Sequence, residues 1–342
     1  MQRASAVAAA ALVLLAGILA GCASATQRSS REAQASVTHA VLVQHDPLAG
    51  LSFYVDPRRP SATQASELRA AGQTADAAAI ERIAEQPTAT WFTGSASVQA
   101  AVGAVTSKAQ HAHRASLLVA YDIPGRDCGS FSAGGAPSPA AYRLWIKSFA
   151  AGIGERAATV ILEPDAIAQA LSGCAPGGSE QRYALLRYAI GVLKARPHAS
   201  VYLDAGNPGW VNPADRLVGP LLRSGVSRAD GFALNVANFY STPTTIAYGS
   251  SLSRALHGAH FVIDTSRNGN GPEGAARDQL DWCNPPGRAL GAVPSTDTAN
   301  PLVDAYLWIK EPGTSDGSCR PGEPRAGQWW PQYALELALN SR

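Results

Sequence analysis

The chain has 342 residues, 46% of them hydrophobic, and its formal net charge is +2 at pH 7. This balanced charge, without any run of lysine and arginine, excludes the strongly basic surface with which proteins bind nucleic acids or anionic membranes. The length fits one large α/β domain or two ordinary ones.

The N-terminus predicts export. A basic residue precedes the apolar segment Ala6 to Ala20, which is too short to span a membrane and is typical of a signal peptide. This segment runs into Leu19-Ala20-Gly21-Cys22, which resembles a bacterial lipoprotein box. We therefore expect a signal peptide over residues 1–21 and a lipid on Cys22 as the only membrane attachment of a cell-envelope lipoprotein. The alternative is cleavage after Ala25, which would release a secreted protein.

A tether and one domain follow the signal peptide. Residues 22–38 have no hydrophobic periodicity and predict a flexible tether, so residues 39–342 form the predicted domain. An even number of cysteines in an exported domain predicts disulfides, and the residues alone leave their pairing open. A zinc site is the competing interpretation, but no C-x-x-C motif or nearby histidine supports it, so we expect no metal. The cysteines of the domain are Cys128, Cys174, Cys283 and Cys319.

Short apolar segments alternate with helical patterns along the domain. The predicted strands are Thr88 to Phe92, Leu117 to Tyr121, Ala158 to Leu162, Ser200 to Leu203, Gly231 to Leu234, His260 to Ile263 and Ala305 to Ile309. The predicted helices cover roughly 75–86, Pro139 to Ala151, Glu180 to Ala195, Pro213 to Ser224 and Pro243 to His257. This alternation predicts a parallel α/β fold, and periodicity does not choose between a barrel and a doubly wound sheet.

Polar and aromatic residues recur where the predicted strands end. Glu163 and Asp165 follow the strand that ends at Leu162, and the alternative is that both acids only cap the next helix. The other residues in this position include Trp91, Tyr121, Asp127, Asp204, Trp210, Asn235, Asn238, Asp264, Arg267, Lys310 and Asp316. Because the carboxyl ends of parallel strands share one rim, we expect these groups to surround one site. Aromatic faces bind sugar rings, and paired carboxyls cleave glycosidic bonds.

Specific motifs lie at or beyond the ends of the predicted strands. They are Tyr121-Asp122-Ile123-Pro124-Gly125-Arg126-Asp127-Cys128, Leu162-Glu163-Pro164-Asp165, Tyr202-Leu203-Asp204-Ala205-Gly206, Asp264-Thr265-Ser266-Arg267-Asn268-Gly269, Asp281-Trp282-Cys283-Asn284 and Lys310-Glu311-Pro312-Gly313-Thr314-Ser315-Asp316-Gly317. In these motifs the chain, from about residue 40 to its end, resembles family 6 of the glycoside hydrolases, a cellulase family. The resemblance implies an α/β fold, namely a distorted seven-stranded parallel β/α barrel in a single domain, which agrees with the strand count.

The resemblance also implies residue roles. Asp165 matches the general acid, Asp127 the carboxylate that keeps it protonated, and Tyr121 the residue that distorts the bound sugar. Asp316 matches the candidate base, held by Lys310 and supported by Arg267. Asp204 matches a supporting carboxylate near the substrate. The implied sugar contacts are Trp91, Trp210, Trp282 and Asn238, and the implied disulfides are Cys128–Cys174 and Cys283–Cys319.

Several of these positions have a structural alternative. Tyr121 could simply pack at a strand end, and Trp282 could brace the neighbouring disulfide. For Asp204 a structural role is nearly as well supported as a catalytic one. We assign Asp264 to loop bracing, and we assign Trp145, on an apolar helix face, to the core.

Three positions depart from the family pattern. Thr314 stands where a glutamate is usual, Asn207 where many members have histidine, and Ala133 where some members have serine.

The predicted function is an exported, inverting endo-β-1,4-glucanase that acts as a monomer on β-1,4-linked glucan and needs no cofactor. The alternatives are a lipid-tethered carbohydrate-binding protein and a hydrolase of a different β-glucan. The short segment from Cys283 to Asp304 favours an open groove and attack within the glucan chain.

Overall fold

The computed structural model describes residues 46–272 and 280–341. The predicted signal peptide, Cys22 and the predicted tether over 22–38 lie outside the described residues. Within those two ranges, no helix is both long enough and apolar enough to cross a membrane.

Seven parallel strands form one sheet whose spatial order is the chain order. A doubly wound sheet would reverse that order at its centre, so the fold is the predicted distorted β/α barrel and the doubly wound alternative is wrong. The strands are β1 Thr90–Phe92, β2 Ser116–Ala120, β3 Ala158–Leu162, β4 Ala199–Asp204, β5 Gly231–Leu234, β6 His260–Asp264 and β7 Val303–Leu307.

The barrel is incompletely closed between β1 and β7, and we call this junction the seam. Just outside the two strands, Thr88 forms a single parallel bridge with Trp308. The backbone N–H of Ala89 donates to the Trp308 carbonyl at 3.0 Å. One bridge replaces the several paired residues that join every other neighbouring pair of strands. The seam is therefore the weakest pairing in the barrel, and the neighbouring β6–β7 pair is also irregular, with a register shift between Phe261 and Val262.

Helices surround the sheet. They are α1 Pro60–Ala70, α2 Thr74–Ala84, α3 Val98–His111, α4 Pro139–Ile153, α5 Ala166–Leu171, α6 Ser179–Lys194, α7 Val218–Ser224, α8 Thr242–Ala255 and α9 Pro331–Leu339. The predicted helix from Pro213 to Ser224 is divided into a 3₁₀ turn, Ala214–Leu217, and α7. Pro220 explains the division, because it has no N–H to donate to the carbonyl four residues earlier in a continuous helix.

Both faces of the sheet are buried, as expected for parallel strands. In β2, Leu118 and Ala120 pack in the outer layer against the helices, whereas Val119 points into the barrel interior. The outer layer includes Trp145 on α4, only 7% exposed, which confirms its assignment to the core.

A third apolar cluster covers the seam. It joins Ile80 and Ile83 of α2 to Leu337 of α9, with Trp308 buried beneath them. Helices from the beginning and the end of the domain therefore close the barrel together.

The disulfides are Cys128–Cys174 and Cys283–Cys319, as the family resemblance implied. Since these four sulfurs are consumed in covalent bonds, the zinc interpretation of the cysteines is wrong. Each disulfide links two loops at the rim formed by the carboxyl ends of the strands.

Candidate active site

A sharp turn follows β3 and separates the two acids of the Glu163-Pro164-Asp165 segment. Glu163 and Asp165 both adopt left-handed backbone conformations, with φ of 49° and 72°. Such conformations are costly for most residues and concentrate at functional sites. Asp165 stands at the start of α5, but its side chain makes no capping hydrogen bond. The capping interpretation of Asp165 is therefore wrong.

Glu163 braces the neighbouring strand end. Its buried carboxyl accepts the backbone N–H groups of Asp122 and Ile123, both at 3.0 Å. Burial raises the pKa of Glu163 to about 8, although these two donors favour the ionised form. Glu163 thus fixes the end of β2 against the turn that presents Asp165.

A groove of about 1320 Å³ crosses the rim and brings most of the predicted site residues together. The positions that depart from the family pattern, Ala133, Asn207 and Thr314, also line it. Arg267 and Asp204 are predicted site residues that lie behind its surface. The predicted residues that line the groove are Trp91, Tyr121, Asp127, Asp165, Trp210, Asn238, Trp282, Lys310 and Asp316.

Asp165 is suited to donate a proton. The Tyr121 hydroxyl donates to its Oδ2 at 3.5 Å. Burial, followed by the negative charges of Asp204 and Asp127, raises the pKa of Asp165 well above its usual value. A carboxyl kept protonated at neutral pH can act as a general acid.

Asp204 holds Asp165 from behind. Its Oδ2 accepts the backbone N–H of Asp165 at 2.9 Å and that of Gly206 at 3.1 Å. Burial raises the pKa of Asp204 to about 7, while these two donors favour its carboxylate form. Because these two N–H groups stabilise the Asp204 carboxylate, protonation of the pair is favoured at Asp165. Asp204 thus lies behind Asp165 and does not line the groove.

Asp127 is connected to Asp165 through two hydroxyls. Its Oδ2 accepts from the Ser132 backbone N–H at 2.6 Å and from the Ser132 hydroxyl at 2.8 Å. The Ser132 hydroxyl lies 3.4 Å from that of Tyr121, which reaches Asp165. Tyr121 is therefore part of a polar chain and not only a packing residue.

Arg126 fixes this series of hydrogen bonds. The sequence analysis does not predict it as a site residue, although it lies within the motif from Tyr121 to Cys128. Its guanidinium donates to the carbonyls of Tyr121 and Ser132, both at 2.8 Å. The guanidinium carbon also lies 4.9 Å from the centre of the Tyr121 ring. An arginine that binds both ends of the segment keeps the two hydroxyls aligned.

Asp316 has the opposite electrostatic environment. Arg267 binds both of its oxygens, at 2.8 and 3.0 Å, and Lys310 Nζ lies 3.2 Å from Oδ1. Burial alone would raise the pKa of Asp316, but the charges of Arg267 and Lys310 outweigh it and lower the pKa. Asp316 is ionised and can accept a proton.

Aromatic side chains form the sugar-sized surfaces of the groove. The Trp91 indole donates to the Ile309 carbonyl at 2.8 Å and packs edge-on against Tyr121, with ring centres 5.3 Å apart. Trp210 and Trp282 are 39% and 37% exposed at the rim. The ring centres of Phe131 and Trp282 lie 6.1 Å apart. Phe131 is absent from the predicted site residues because its loop has no periodic pattern.

Asn207 and Asp264 organise loops around the groove. The Asn207 Oδ1 accepts the backbone N–H groups of Gly209 and Trp210, at 3.0 and 3.1 Å, and so shapes the loop that carries Trp210. The buried Asp264 carboxylate accepts the N–H groups of Ala237 and Lys310, at 2.9 and 3.0 Å. Asp264 therefore braces two rim loops.

A protonated carboxyl and an ionised carboxylate in one aromatic groove, at the carboxyl end of a parallel β/α barrel, define a glycoside hydrolase site. The comparison of the sequence with known families agrees with this class. The chain belongs to the glycosyl hydrolases family 6, whose sequence profile matches residues 48–341.

The most similar proteins include two bacterial enzymes and a solved structure. The chain is 44% identical to Endoglucanase A of Cellulomonas fimi over 85% of its length and 41% identical to Endoglucanase A of Thermobispora bispora over 84%. It spans only 61% and 62% of those two proteins. The endoglucanase Cel6 of Mycobacterium tuberculosis, solved with methyl-cellobiosyl-4-deoxy-4-thio-β-D-cellobioside, is 45% identical, with a TM-score of 0.80 over 86% of this chain and 99% of that one.

Proposed function

We propose that the chain is an inverting endo-β-1,4-glucanase that hydrolyses internal bonds of cellulose-like β-glucans. The observation that carries this proposal is the contrast between two carboxyls in one groove. Burial and the charges of Asp204 and Asp127 raise the pKa of Asp165, whereas Arg267 and Lys310 bind Asp316 and lower its pKa. Asp165 protonates the departing glycosidic oxygen. Asp316 is the candidate base that accepts a proton from the attacking water, and its two cationic partners keep it ionised.

The substrate class is supported by the site and by the relatives. Trp91 in β1, Trp210 after β4 and Trp282 after β6 all line the groove, so several sugar units can stack along it. Two similar proteins are named endoglucanases, and the similar solved structure holds a thio-linked cellobioside. A chain of β-1,4-linked glucose units is the ligand that these observations favour.

Attack within the glucan chain is supported by the path of the segment after Cys283. Ala289 forms a bridge with Asn268, and Ser295 forms one with Tyr306, so this segment packs beside the barrel. Among the described residues, none from 283 to 309 lines the groove. This path fits an open groove that a glucan can enter sideways.

The test compares viscosity with the release of reducing ends on carboxymethyl cellulose and mixed-linkage glucan. An endoglucanase lowers viscosity well before reducing ends accumulate. Proton NMR of early products should show the α anomer from the β-linked substrate. Early cellobiose with nearly unchanged viscosity would contradict the endo mode, and a β anomer would contradict inversion.

A carbohydrate-binding protein without turnover is the second candidate, favoured by the groove positions of Ala133, Asn207 and Thr314. A hydrolase of a different β-glucan is a further candidate that the two substrates above distinguish. Binding of cello-oligosaccharides without any hydrolysis would select the binding protein. Retention of both Asp165 and Asp316 favours the enzyme, because sugar binding alone does not require a protonated acid beside an ionised base.

Export and lipidation complete the proposal. Residues 1–21 would be removed, Cys22 would carry lipid, residues 22–38 would form the tether, and 39–342 would form the monomeric hydrolase. The two disulfides support folding in an oxidising compartment. Labelled palmitate should enter the wild-type protein but not the Cys22→Ser variant, and N-terminal sequencing that begins after Ala25 would instead show a released enzyme.

A further inference from the structure

Asn284 holds Asp316 through two reciprocal hydrogen bonds. The Asn284 backbone N–H donates to Asp316 Oδ2 at 3.1 Å, and the Asp316 backbone N–H donates to Asn284 Oδ1 at 2.8 Å. The first bond stabilises the carboxylate, and the second fixes the backbone that carries it. The position of Asp316 therefore depends on the orientation of the Asn284 amide as well as on Arg267 and Lys310.

Two acceptors set the orientation of that amide. The Gly317 carbonyl accepts from Asn284 Nδ2 at 2.8 Å, and Glu323 Oε2 accepts from the same nitrogen at 3.0 Å. Glu323 Oε2 also accepts from the backbone N–H groups of Cys319 and Arg320, at 3.0 and 3.1 Å. A carboxylate can only accept hydrogen bonds, so it binds the NH₂ side of the amide and turns the oxygen toward Asp316. The Glu323 side chain is 8% exposed and does not line the groove.

We propose that Glu323 is a positioning residue for Asp316, acting through the amide of Asn284. The inference rests on the proposed function, because it takes Asp316 as the candidate base. Glu323 reaches neither the groove surface nor Asp316 itself, so its removal should change the chemical step and leave sugar binding intact.

The decisive variant is Glu323→Ala. We expect kcat on cello-oligosaccharides to fall between about 10- and 100-fold, since small displacements of a reacting group have effects of this size. KM should stay within about twofold, because ground-state contacts are unchanged. Once the Asn284 amide is no longer held, the Asp316 backbone should shift and weaken the bond from the Asn284 backbone N–H to Asp316 Oδ2. The pKa of Asp316 should then rise, and the acidic limb of the pH–rate profile should move to higher pH. Glu323→Gln keeps one acceptor oxygen and should retain part of the activity.

Glu336→Ala is the matched control. The Glu336 carboxylate accepts the backbone N–H of Gly287, in the same loop as Asn284, but does not touch Asn284. This variant should leave kcat and the pH profile unchanged. An equal effect of both variants, or a change confined to KM, would overturn the inference in favour of general loosening of the loop.

A double-mutant cycle tests the route of the effect. If Glu323 acts through Asn284, the kcat losses of Glu323→Ala and Asn284→Ala should be clearly less than additive, whereas additive losses would overturn the inference.

Carbon-13 NMR titration of the Asp316 carboxyl, assigned with Asp316→Asn, measures the pKa of Asp316 directly and needs no turnover. An inactive wild type would therefore refute the proposed function, while the titration in wild type, Glu323→Gln and Glu323→Ala still decides this inference. If Glu323→Ala does not fold, the kinetic constants with their pH profile and the NMR titration are both measured on Glu323→Gln.

Discussion

At the scale of single residues, Asp165 depends on being held in an unusual backbone conformation. The Asp165→Asn variant should lose about 10²- to 10⁴-fold in kcat on unactivated glucan, because an amide cannot supply the acid proton. Asparagine tolerates the left-handed conformation, so the fold should be kept. Reducing-sugar assays measure the loss, and calorimetric titration with cello-oligosaccharides should show nearly unchanged affinity. A loss below about tenfold would contradict the role of Asp165 as general acid.

The Asp204→Asn variant tests the charge that keeps Asp165 protonated. Asparagine still offers an oxygen to the backbone N–H groups of Asp165 and Gly206, but it removes a negative charge beside Asp165. The pKa of Asp165 should therefore fall from its raised value. Activity needs the protonated form, so the alkaline limb of kcat/KM should move to lower pH, with most activity retained at acidic pH. An alkaline limb that does not move would show that Asp204 acts only as a brace.

The sequence motifs predict which residues belong to the site, but they do not predict which of those residues reach the surface of the groove. The sequence places Asp165, Asp204 and Asp264 after predicted strands, yet only Asp165 lines the groove. In the structure Asp204 and Asp264 are the last residues of β4 and β6, whereas Asp165 lies in the turn beyond β3. The difference arises from backbone N–H groups: those that point at Asp204 and Asp264 turn these carboxylates inward. Such contacts depend on loop conformation, which hydrophobic periodicity does not encode.

At the scale of structural elements, the Cys128–Cys174 disulfide ties the segment that carries Asp127 to the loop after α5. It closes a loop with a sequence separation of 46 residues. The Cys128→Ser/Cys174→Ser variant should lose about 3–4 kcal/mol in the free energy of unfolding, because the unfolded chain is no longer restrained. Urea denaturation measures this loss. An unchanged unfolding midpoint would mean that the link does not contribute to stability.

The strands are predicted accurately because burial on both faces gives compact apolar segments. β3 and β5 have the predicted bounds, and the other strands differ from their predicted bounds by one or two residues at either end. Helices are predicted less well. α1 is absent from the predicted helices, because Pro60–Ala70 is rich in polar residues and alanine and has no clear apolar stripe. Its burial depends on packing against α2 and α9, which only the tertiary structure provides.

At the scale of the whole molecule, Trp91 belongs both to the groove and to the seam. Its indole N–H reaches the Ile309 carbonyl beyond β7. The Trp91→Phe variant keeps an aromatic face but loses this bond, and should lose about 0.5–1.5 kcal/mol in the free energy of unfolding. Hydrogen exchange of the Ala89 amide, which bonds across the seam, should accelerate. Trp210→Phe, on the exposed rim, is the control that should leave this exchange unchanged, and equal acceleration in both would contradict the assignment.

Because α9 from the end of the domain covers the seam, the barrel can close only late in folding. The Trp329 indole donates to the side chain of Gln64 across a sequence separation of 265 residues, and α9 covers the apolar face of α2. Contacts between such distant segments form slowly and cannot form on a nascent chain that has not yet reached them. Until α9 is available, Ile80, Ile83 and Trp308 lack part of their apolar cover, and Trp308 is the residue that pairs with Thr88 across the seam. The groove, which both Trp91 before the seam and Lys310 beyond it line, is therefore complete only when the two ends of the domain have met.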